Sequence, residues 1–399
     1  MVLRWKWISK RKVTIGNSLA LMDNNRLTCT CSKCINSMKR YKNYSLLRHN
    51  TFGIDSLCDE FVVFESIDDA MSLAIEQRIS VEHKCKFLLL GGGSNLLLTH
   101  DFKGKVITPD KRFDVEESFV HDDAHAIYLR CWAGTCFDDV VAYAASHGYC
   151  GMENLSLIPG ECGASAVQNI GAYGVEIKDI LYNIEAVDLS TGKVVSIRPD
   201  DCQYGYRQSR FKHEWKDRFI ITHVTYKLST KFMPCLDYGN LQKVLNERQI
   251  SKNELTPQIL RNIIIDIRRS KLPDPAVLGN AGSFFMNPMV DKNKLDDLIK
   301  KFPDIKYFEV DVATLGAEAA AMTNHTGSKV YKIPAGWMID HCGWKGKRVG
   351  NVGVYDKQAL VLVNYGGASG QDIVNLMRAI QKDVFDTFGI SIIPEVNIK

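Results

Sequence analysis

"LIPGECGASAVQNIGAYG", residues 157–174, sets four glycines (Gly160, Gly163, Gly171, Gly174), the small Ala164, Ser165 and Ala166, and the amides Gln168 and Asn169 into eighteen positions. Small residues let a backbone approach its surroundings closely and take dihedrals closed to larger side chains. A plain surface connection rarely needs so many in succession, whereas a loop that wraps a bulky ligand does. The stretch therefore reads as a ligand-wrapping loop.

A second glycine run lies upstream, in "LLLGGGSNLLL" (88–98). The bare amides of such a turn can form a nest for phosphate oxygens. No Gly-Lys-Ser/Thr follows, so this is not a P-loop. Leu96 stands where a Rossmann fingerprint has its third glycine, and an apolar strand follows instead of a helix. By itself the run is either a phosphate-holding turn or a tight hairpin.

The elements around these loops alternate. "IDDAMSLAIEQRI" has helical apolar spacing, with Ser66 and Asp69 as a start signal. "FDDVVAYAASHG" reads as a helix stopped by Gly148, and "IEAVDLSTGKVVSI" as a hairpin about Thr191–Gly192. "FIITHVTYKL" is a further strand, and "TPQILRNIIIDIRRS" a helix with Thr256 as N-cap and Pro257 at its first position. A strand "ALVLVN" and an amphipathic helix "DIVNLMRAIQKDVFDTF", stopped by Gly389, precede the final "ISIIPEV". The class is α+β, without internal repeats, and Lys271–Pro275 reads as a hinge between front and back halves.

The chain of 399 residues has room for two or three domains, and its 45% hydrophobic and 24% charged content is that of a globular protein. Its formal charge of +4 misleads, because residues 1–42 carry ten Lys/Arg against Asp23 alone. The remainder is acidic, which argues against a nucleic-acid partner. No apolar run is long enough to span a bilayer. The basic tail lacks the apolar core of a secretory signal; it reads as a disordered extension, or as sequence upstream of a start at Met38. Cys29, Cys31 and Cys34 lack a fourth ligand at zinc spacing, so no metal is assigned. The twelve scattered cysteines suit reduced thiols of a cytoplasmic protein.

Between Lys271 and Val290, "KLPDPAVLGNAGSFFMNPMV" sets Ser283 behind Gly279, Asn280, Ala281 and Gly282. Such a serine is either a turn former or a hydroxyl delivered to a substrate.

Eight blocks in order carry a resemblance: "HNTFGID" (49–55), "LGGGSN" (90–95), "ENLSLIPG" (153–160), "QNIGAYG" (168–174), "GYRQSRFK" (205–212), "GNAGSFFMNP" (279–288), "IPAGWMID" (333–340) and "PEV" (394–396). Across residues 44–397 the chain resembles the UDP-N-acetylenolpyruvoylglucosamine reductase (UDP-N-acetylmuramate dehydrogenase) family of peptidoglycan precursor synthesis. The resemblance implies a two-subdomain FAD-binding fold of the vanillyl-alcohol-oxidase (PCMH) type and a C-terminal α+β substrate-binding domain. The corresponding division is an extension 1–42, FAD-binding subdomains 43–110 and 111–270, and a substrate-binding domain 271–399. It further implies a bacterial cytoplasmic monomer with no membrane partner, non-covalent FAD, NADPH as reductant and a UDP-sugar substrate.

By the same resemblance FAD meets Leu90, Gly91, Gly92, Gly93, Ser94 and Asn95 of the first loop. In the second it meets Ile158, Pro159, Gly160, Gly163, Ala164, Ser165, Gln168, Asn169 and Gly171. Ser283 is the expected proton donor, Arg207 the cation for the substrate carboxylate, and Glu395 the acid that assists the enol intermediate. Tyr206, Tyr238, Lys271 and Asn287 are expected near the substrate, and Met286 replaces a lysine. Cys162 is a reservation about non-covalent attachment. Two alternatives stay open: an FAD-dependent alcohol oxidase with the same front half, and a nucleotide-sugar-binding protein without catalysis. Residues 311–330 read as an inserted surface loop.

Overall fold

Residues 38–80, 86–119, 123–237, 241–312 and 329–399 are described by the structure, a computed structural model. The expectations for the tail before Met38, for Cys29, Cys31 and Cys34, for Tyr238 and for most of 311–330 lie outside the described residues. Among those described, no helix is long and apolar enough to cross a membrane.

The front of the chain alternates apolar strands with turn residues, which gives β1 (Lys39–Ser45), β2 (Leu57–Phe64), β3 (Phe87–Leu89), β4 (Leu96–Leu97) and β5 (Phe102–Pro109). Four of them form a sheet of order β1-β2-β5-β3, antiparallel between β1 and β2 and parallel elsewhere. Helix α1 (Ile67–Ser80) opens as expected: Ser66 Oγ accepts the Asp69 N–H at 3.0 Å, and Asp69 accepts the Glu65 N–H at 2.9 Å. One boundary needs correction. Lys39–Lys42 belong to β1 and not to a disordered extension, because acids of the fold receive their charges. Lys39 pairs with Glu65 at 2.8 Å, and Arg40 with Glu60 and Glu76.

The second part is a five-stranded antiparallel sheet made by β6 (Val115–Phe119), β7 (Ala126–Trp132), β10 (Leu181–Asp188), β11 (Lys193–Ile197) and β12 (Phe219–Ser229), ordered β11-β10-β12-β7-β6. A short hairpin, β8 (Gly171–Ala172) with β9 (Val175–Glu176), forms a separate two-stranded sheet. Helices α2 (Phe137–Ser146) and α3 (Cys162–Gln168) bury Phe137, Val140, Val141, Cys162 and Ala166 against the sheet. Gly163 is what lets α3 approach so closely. A Cβ there would lie 2.8 Å from that of Ala133.

Helix α4 (Leu241–Glu247) and the amphipathic α5 (Pro257–Lys271) form a separate apolar layer. Thr256 caps α5, its side chain accepting the Ile259 N–H. The buried Arg261 ties α5 to α2 through a two-pronged contact with Asp138 at 2.6 and 2.9 Å. Asp138 in turn accepts the N–H of Leu157, a non-glycine residue at φ +60°. The entrance of the long glycine loop is thereby held by an ion pair whose partners are 123 residues apart in the chain.

The back part contains β13 (Gly279–Ser283), β14 (Met289–Val290), β15 (Phe308–Asp311), β16 (Lys329–Lys332), β17 (Arg348–Val349), β18 (Val352–Val354) and β19 (Val361–Asn364), in sheets ordered β13-β19-β18-β17 and β14-β16-β15. They are joined by α6 (Lys292–Lys301), α7 (Ala335–His341) and α8 (Gly370–Phe388), the last ending at Gly389 in the left-handed conformation. One core runs through both halves: Phe52, Phe61 and Leu96–Leu98 pack with Phe284, Phe285, Met338 and Ile380. The last strand, β20 (Asn397–Ile398), adds in parallel beside β4, with Asn397 opposite Leu96. This return of the C-terminus to the first glycine turn positions the site.

The hairpin turn between β10 and β11 supplies a stability test. Burial alone would push the Asp188 carboxyl up, but Arg218 at 2.8 Å and two Ser190 donors outweigh it and bring it down to about 2. A carboxylate depressed from its ordinary range stabilises the fold above that range, and the stabilisation is lost as pH falls through it. Asp188→Asn is expected to cost about 2 kcal/mol near neutral pH and almost nothing near pH 2. Chemical denaturation at the two pH values measures the difference. A loss independent of pH would show that Asp188 acts only through shape.

Candidate active site

A cleft of about 340 Å³ lies between the two glycine loops. Its walls include Leu90–Asn95 from the first, and Pro159, Gly160, Gly163, Ala164, Ser165 and Gln168 from the second. Ser94 Oγ donates to the Pro159 carbonyl at 3.2 Å and joins them. Gly93 has φ +66°, and a Cβ there would fall 2.0 Å from the His49 carbonyl oxygen, so only glycine fits that turn. The N–H groups of Gly91, Gly92, Gly93 and Ser94 donate no hydrogen bond within the described residues. A run of free amides on a glycine turn suits phosphate oxygens. Apolar walls from Phe64, Ile107, Phe137 and Ile221 suit a large aromatic ring. The residues present therefore fit a flavin dinucleotide.

Three of the expected cofactor residues, Ile158, Asn169 and Gly171, are not among the described residues that line the cleft, and each makes other contacts. Ile158 packs against the core of the second sheet. Asn169 is fully buried at φ +49°; its Nδ2 donates to Glu176 at 3.0 Å and to the Gly205 carbonyl at 2.9 Å, and its Oδ1 accepts the Lys178 N–H at 3.0 Å. Gly171 serves Arg207: its carbonyl accepts Nη2 at 2.5 Å, and a Cβ on it would lie 3.0 Å from Nη1. Ser165 does line the cleft, yet its hydroxyl is already engaged by the Cys162 carbonyl and the Tyr226 hydroxyl. Cys162 itself is fully buried.

At one end of the cleft the distant motifs meet. Gln168, on the cleft wall, donates to Glu395 Oε1 at 2.8 Å and also bonds Asn95. Arg207 Nε lies 3.4 Å from the same Glu395 oxygen. The remaining Arg207 nitrogens are fixed by the carbonyls of Gly171 and Asn169 and by Glu176 at 3.7 Å. Arg207 sits at φ +57°, a region uncommon for a side chain other than glycine and one often found at functional sites. Burial pushes the Glu395 carboxyl up; the nearby Arg207 and Lys212 cations and the Gln168 hydrogen bond act against it.

Ser283 approaches from the neighbouring strand. Phe284 accepts the Glu395 N–H at 2.8 Å, and Met286 N donates to Ile393, so the serine lies at the head of a segment paired with the chain around Glu395. It ends a β-strand and not a free loop. The register of β13 against β19 slips between Asn280 and Ser283, where Gly282 has φ +67°. Such a bulge re-aims the next side chain. Ser283 is exposed, and its hydroxyl forms no hydrogen bond with Arg207 or Glu395 among the described residues.

The remaining expected residues divide. Asn287 donates to the Tyr206 hydroxyl at 3.3 Å and its Oδ1 accepts the Ala335 N–H at the start of α7. Tyr206 lies beneath Arg207, 5.3 Å from its ring centroid, and beneath Lys332 at 5.6 Å. Lys271 is exposed at the end of α5, with no hydrogen bond or ion pair to this group among the described residues. Two cations went unforeseen. Lys212 Nζ donates to the Arg207 carbonyl at 3.0 Å and lines the cleft; burial and Arg207 push its amine down while Glu395 pulls it up. It stands five residues after Arg207 in "GYRQSRFK", so the motif was a signal. Lys332, pushed down chiefly by burial, had no such signal.

A glycine-turn cleft in a two-part front, closed at one end by a C-terminal domain, is the build of a flavoprotein with an appended substrate-binding domain. Residues 66–198 match the family model of an FAD binding domain, and residues 274–399 that of the UDP-N-acetylenolpyruvoylglucosamine reductase C-terminal domain. The UDP-N-acetylenolpyruvoylglucosamine reductase of Bacteroides fragilis (strain YCH46) is 43% identical over 354 residues, covering 89% of this chain and 98% of that one. That of Flavobacterium johnsoniae is 41% identical over 362 residues, covering 90% and 100%. The chain belongs to the UDP-N-acetylenolpyruvoylglucosamine reductase family. The crystal structure of the Thermus caldophilus enzyme aligns over 90% of this chain and 98% of its own, with a TM-score of 0.56 and 21% identity, a likeness of fold. The match to residues 274–399 sets aside an alcohol oxidase that shares only the front half.

Proposed function

We propose that Arg207, Glu395 and Ser283 manage the charge and the proton in the reaction of this family, reduction of the enolpyruvyl ether of UDP-N-acetylglucosamine-enolpyruvate to UDP-N-acetylmuramate in peptidoglycan precursor synthesis. The observation that carries this reading is the meeting of Arg207 and Glu395 with Gln168 of the cleft wall, from segments up to 227 residues apart. FAD held by Gly91–Ser94 would supply the hydride transfer that links NADPH to the β-carbon of the enolpyruvyl group. Negative charge then collects on the substrate's α-carbon and carboxylate.

Each residue has a separate task. Arg207, its guanidinium held from several sides, is a pre-oriented cation for that carboxylate. Glu395 keeps a proton more readily than an ordinary carboxyl because of its burial, and can support the enol oxygen in that form. Ser283 delivers the proton to the α-carbon. The free amides of Gly91–Ser94 hold the dinucleotide's phosphates, and Asn95 and Gln168 connect that end of the cleft to Glu395. Tyr206, Asn287 and Lys332 form a mixed aromatic, amide and cationic surface suited to the sugar nucleotide. The front and back subdomains carry cofactor and substrate respectively.

Purified protein is expected to be yellow. It should oxidise NADPH steadily only when enolpyruvyl-UDP-GlcNAc is supplied. Steady NADPH consumption without that substrate, or a colourless protein that does not take up FAD, would overturn the reading.

A further inference from the structure

Beside the glycine turn stands a carboxylate outside the Arg207–Glu395 group. Glu161 lines the cleft with its side chain only 7% exposed. Its Oε1 lies 3.4 Å from Lys111 Nζ, a side chain that is 59% exposed. Its Oε2 is shielded from solvent and has no hydrogen-bond partner. Both oxygens press on the turn: a Cβ on Gly92 would lie 2.9 Å from each, and one on Gly91 2.9 Å from Oε2. An acceptor removed from water without a donor is costly, more so when charged. The neighbouring amides of Gly91–Ser94 do not satisfy it. Lys111 reaches only the other oxygen.

A dinucleotide offers two chemistries here. Phosphate oxygens only accept hydrogen bonds and would repel the carboxylate. The ribityl and ribose chains attached directly to the diphosphate carry hydroxyl donors. A group beside a phosphate-holding turn meets those hydroxyls first.

We propose that Glu161 Oε2 accepts a hydrogen bond from a ribityl or ribose hydroxyl of FAD, making Glu161 a cofactor-binding residue whose outer oxygen Lys111 neutralises. The assignment rests on the flavoprotein reading. It explains why Gly91 and Gly92 must stay bare on the side facing Glu161.

The test is equilibrium binding to FAD-stripped protein, read by quenching of flavin fluorescence, with FAD and with analogues that each lack one ribityl hydroxyl (2′, 3′ or 4′) or one ribose hydroxyl (2′ or 3′). Glu161→Ala is expected to weaken FAD binding by about tenfold or more, and Glu161→Gln by less, since an amide oxygen still accepts but without charge. One of these deoxy analogues should bind the wild type more weakly than FAD does, yet bind Glu161→Ala as FAD does. FAD affinity unchanged or tighter in Glu161→Ala would overturn the proposal, and a tighter value would mean that the carboxylate crowds a phosphate. For every analogue an equal loss in wild type and variant would also overturn it. Melting of the stripped proteins separates misfolding from lost contact, because removal of an unsatisfied carboxylate leaves the stripped fold no less stable. Failure of the wild type to bind FAD at all would instead sink the cofactor reading.

Discussion

Ser283→Ala is expected to leave the bleaching of flavin absorbance by NADPH at its wild-type rate, and to slow its recovery on adding enolpyruvyl substrate by roughly 10²–10⁴. Stopped-flow absorbance reads the two steps separately. The serine is exposed and its hydroxyl sits after a register slip, so the truncation should change stability by no more than about 0.5 kcal/mol. A large kinetic loss therefore cannot be charged to unfolding. An alcohol is a weak acid, and it can give up a proton rapidly only where its conjugate base is supported. The nearby turn of chain places Arg207 and Lys212 in the same region as Glu395. If both steps keep wild-type rates, Ser283 is a turn residue and another group supplies the proton.

Arg207→Met should lower kcat by about 10²–10³, the range for loss of one pre-oriented electrostatic donor. KM should rise less, because the charge the arginine answers develops after binding. The same variant has a signature in stability. At present Arg207 is the foremost influence holding the Glu395 carboxyl down against burial. Without it the carboxyl rises further. A carboxyl raised in the folded state favours folding at low pH, and that contribution is lost as pH climbs from the ordinary carboxylate range through the raised value. The variant should therefore be destabilised more at pH 8 than at pH 5, measured by denaturant unfolding against wild type. Equal destabilisation at both would mean that Arg207 and Glu395 are not coupled, and the acid assigned to the enol would need another source.

Much of the architecture was legible locally. The Thr256 cap, Pro257 and the apolar spacing of 257–271 mark α5, because each acts within one or two turns of helix. Gly389 stops α8 for a reason confined to its own φ. The two glycine runs announced the cleft, since small residues in succession have few other uses. Their individual roles were less legible. Gly171 and Asn169 are the residue types a ligand-wrapping loop needs, yet a close approach by Arg207 or by the chain at Gly205 needs the same types. Residue type records that something comes near, not what. Lys39–Lys42 were misread for a related reason: a basic stretch looks like a solvated tail until Glu60, Glu65 and Glu76 are brought beside it.

By itself, then, the sequence determined several of the helices and strands, the glycine turns and, through the order of its motifs, the family. Tertiary structure alone decided that Glu395 faces Gln168 and Arg207, and that Glu161 lies against Gly91 and Gly92. The physical reason is strand pairing at long range. β20 joins β4 across about 300 residues of chain, and the hydrogen bonds that fix this register leave no trace in local periodicity.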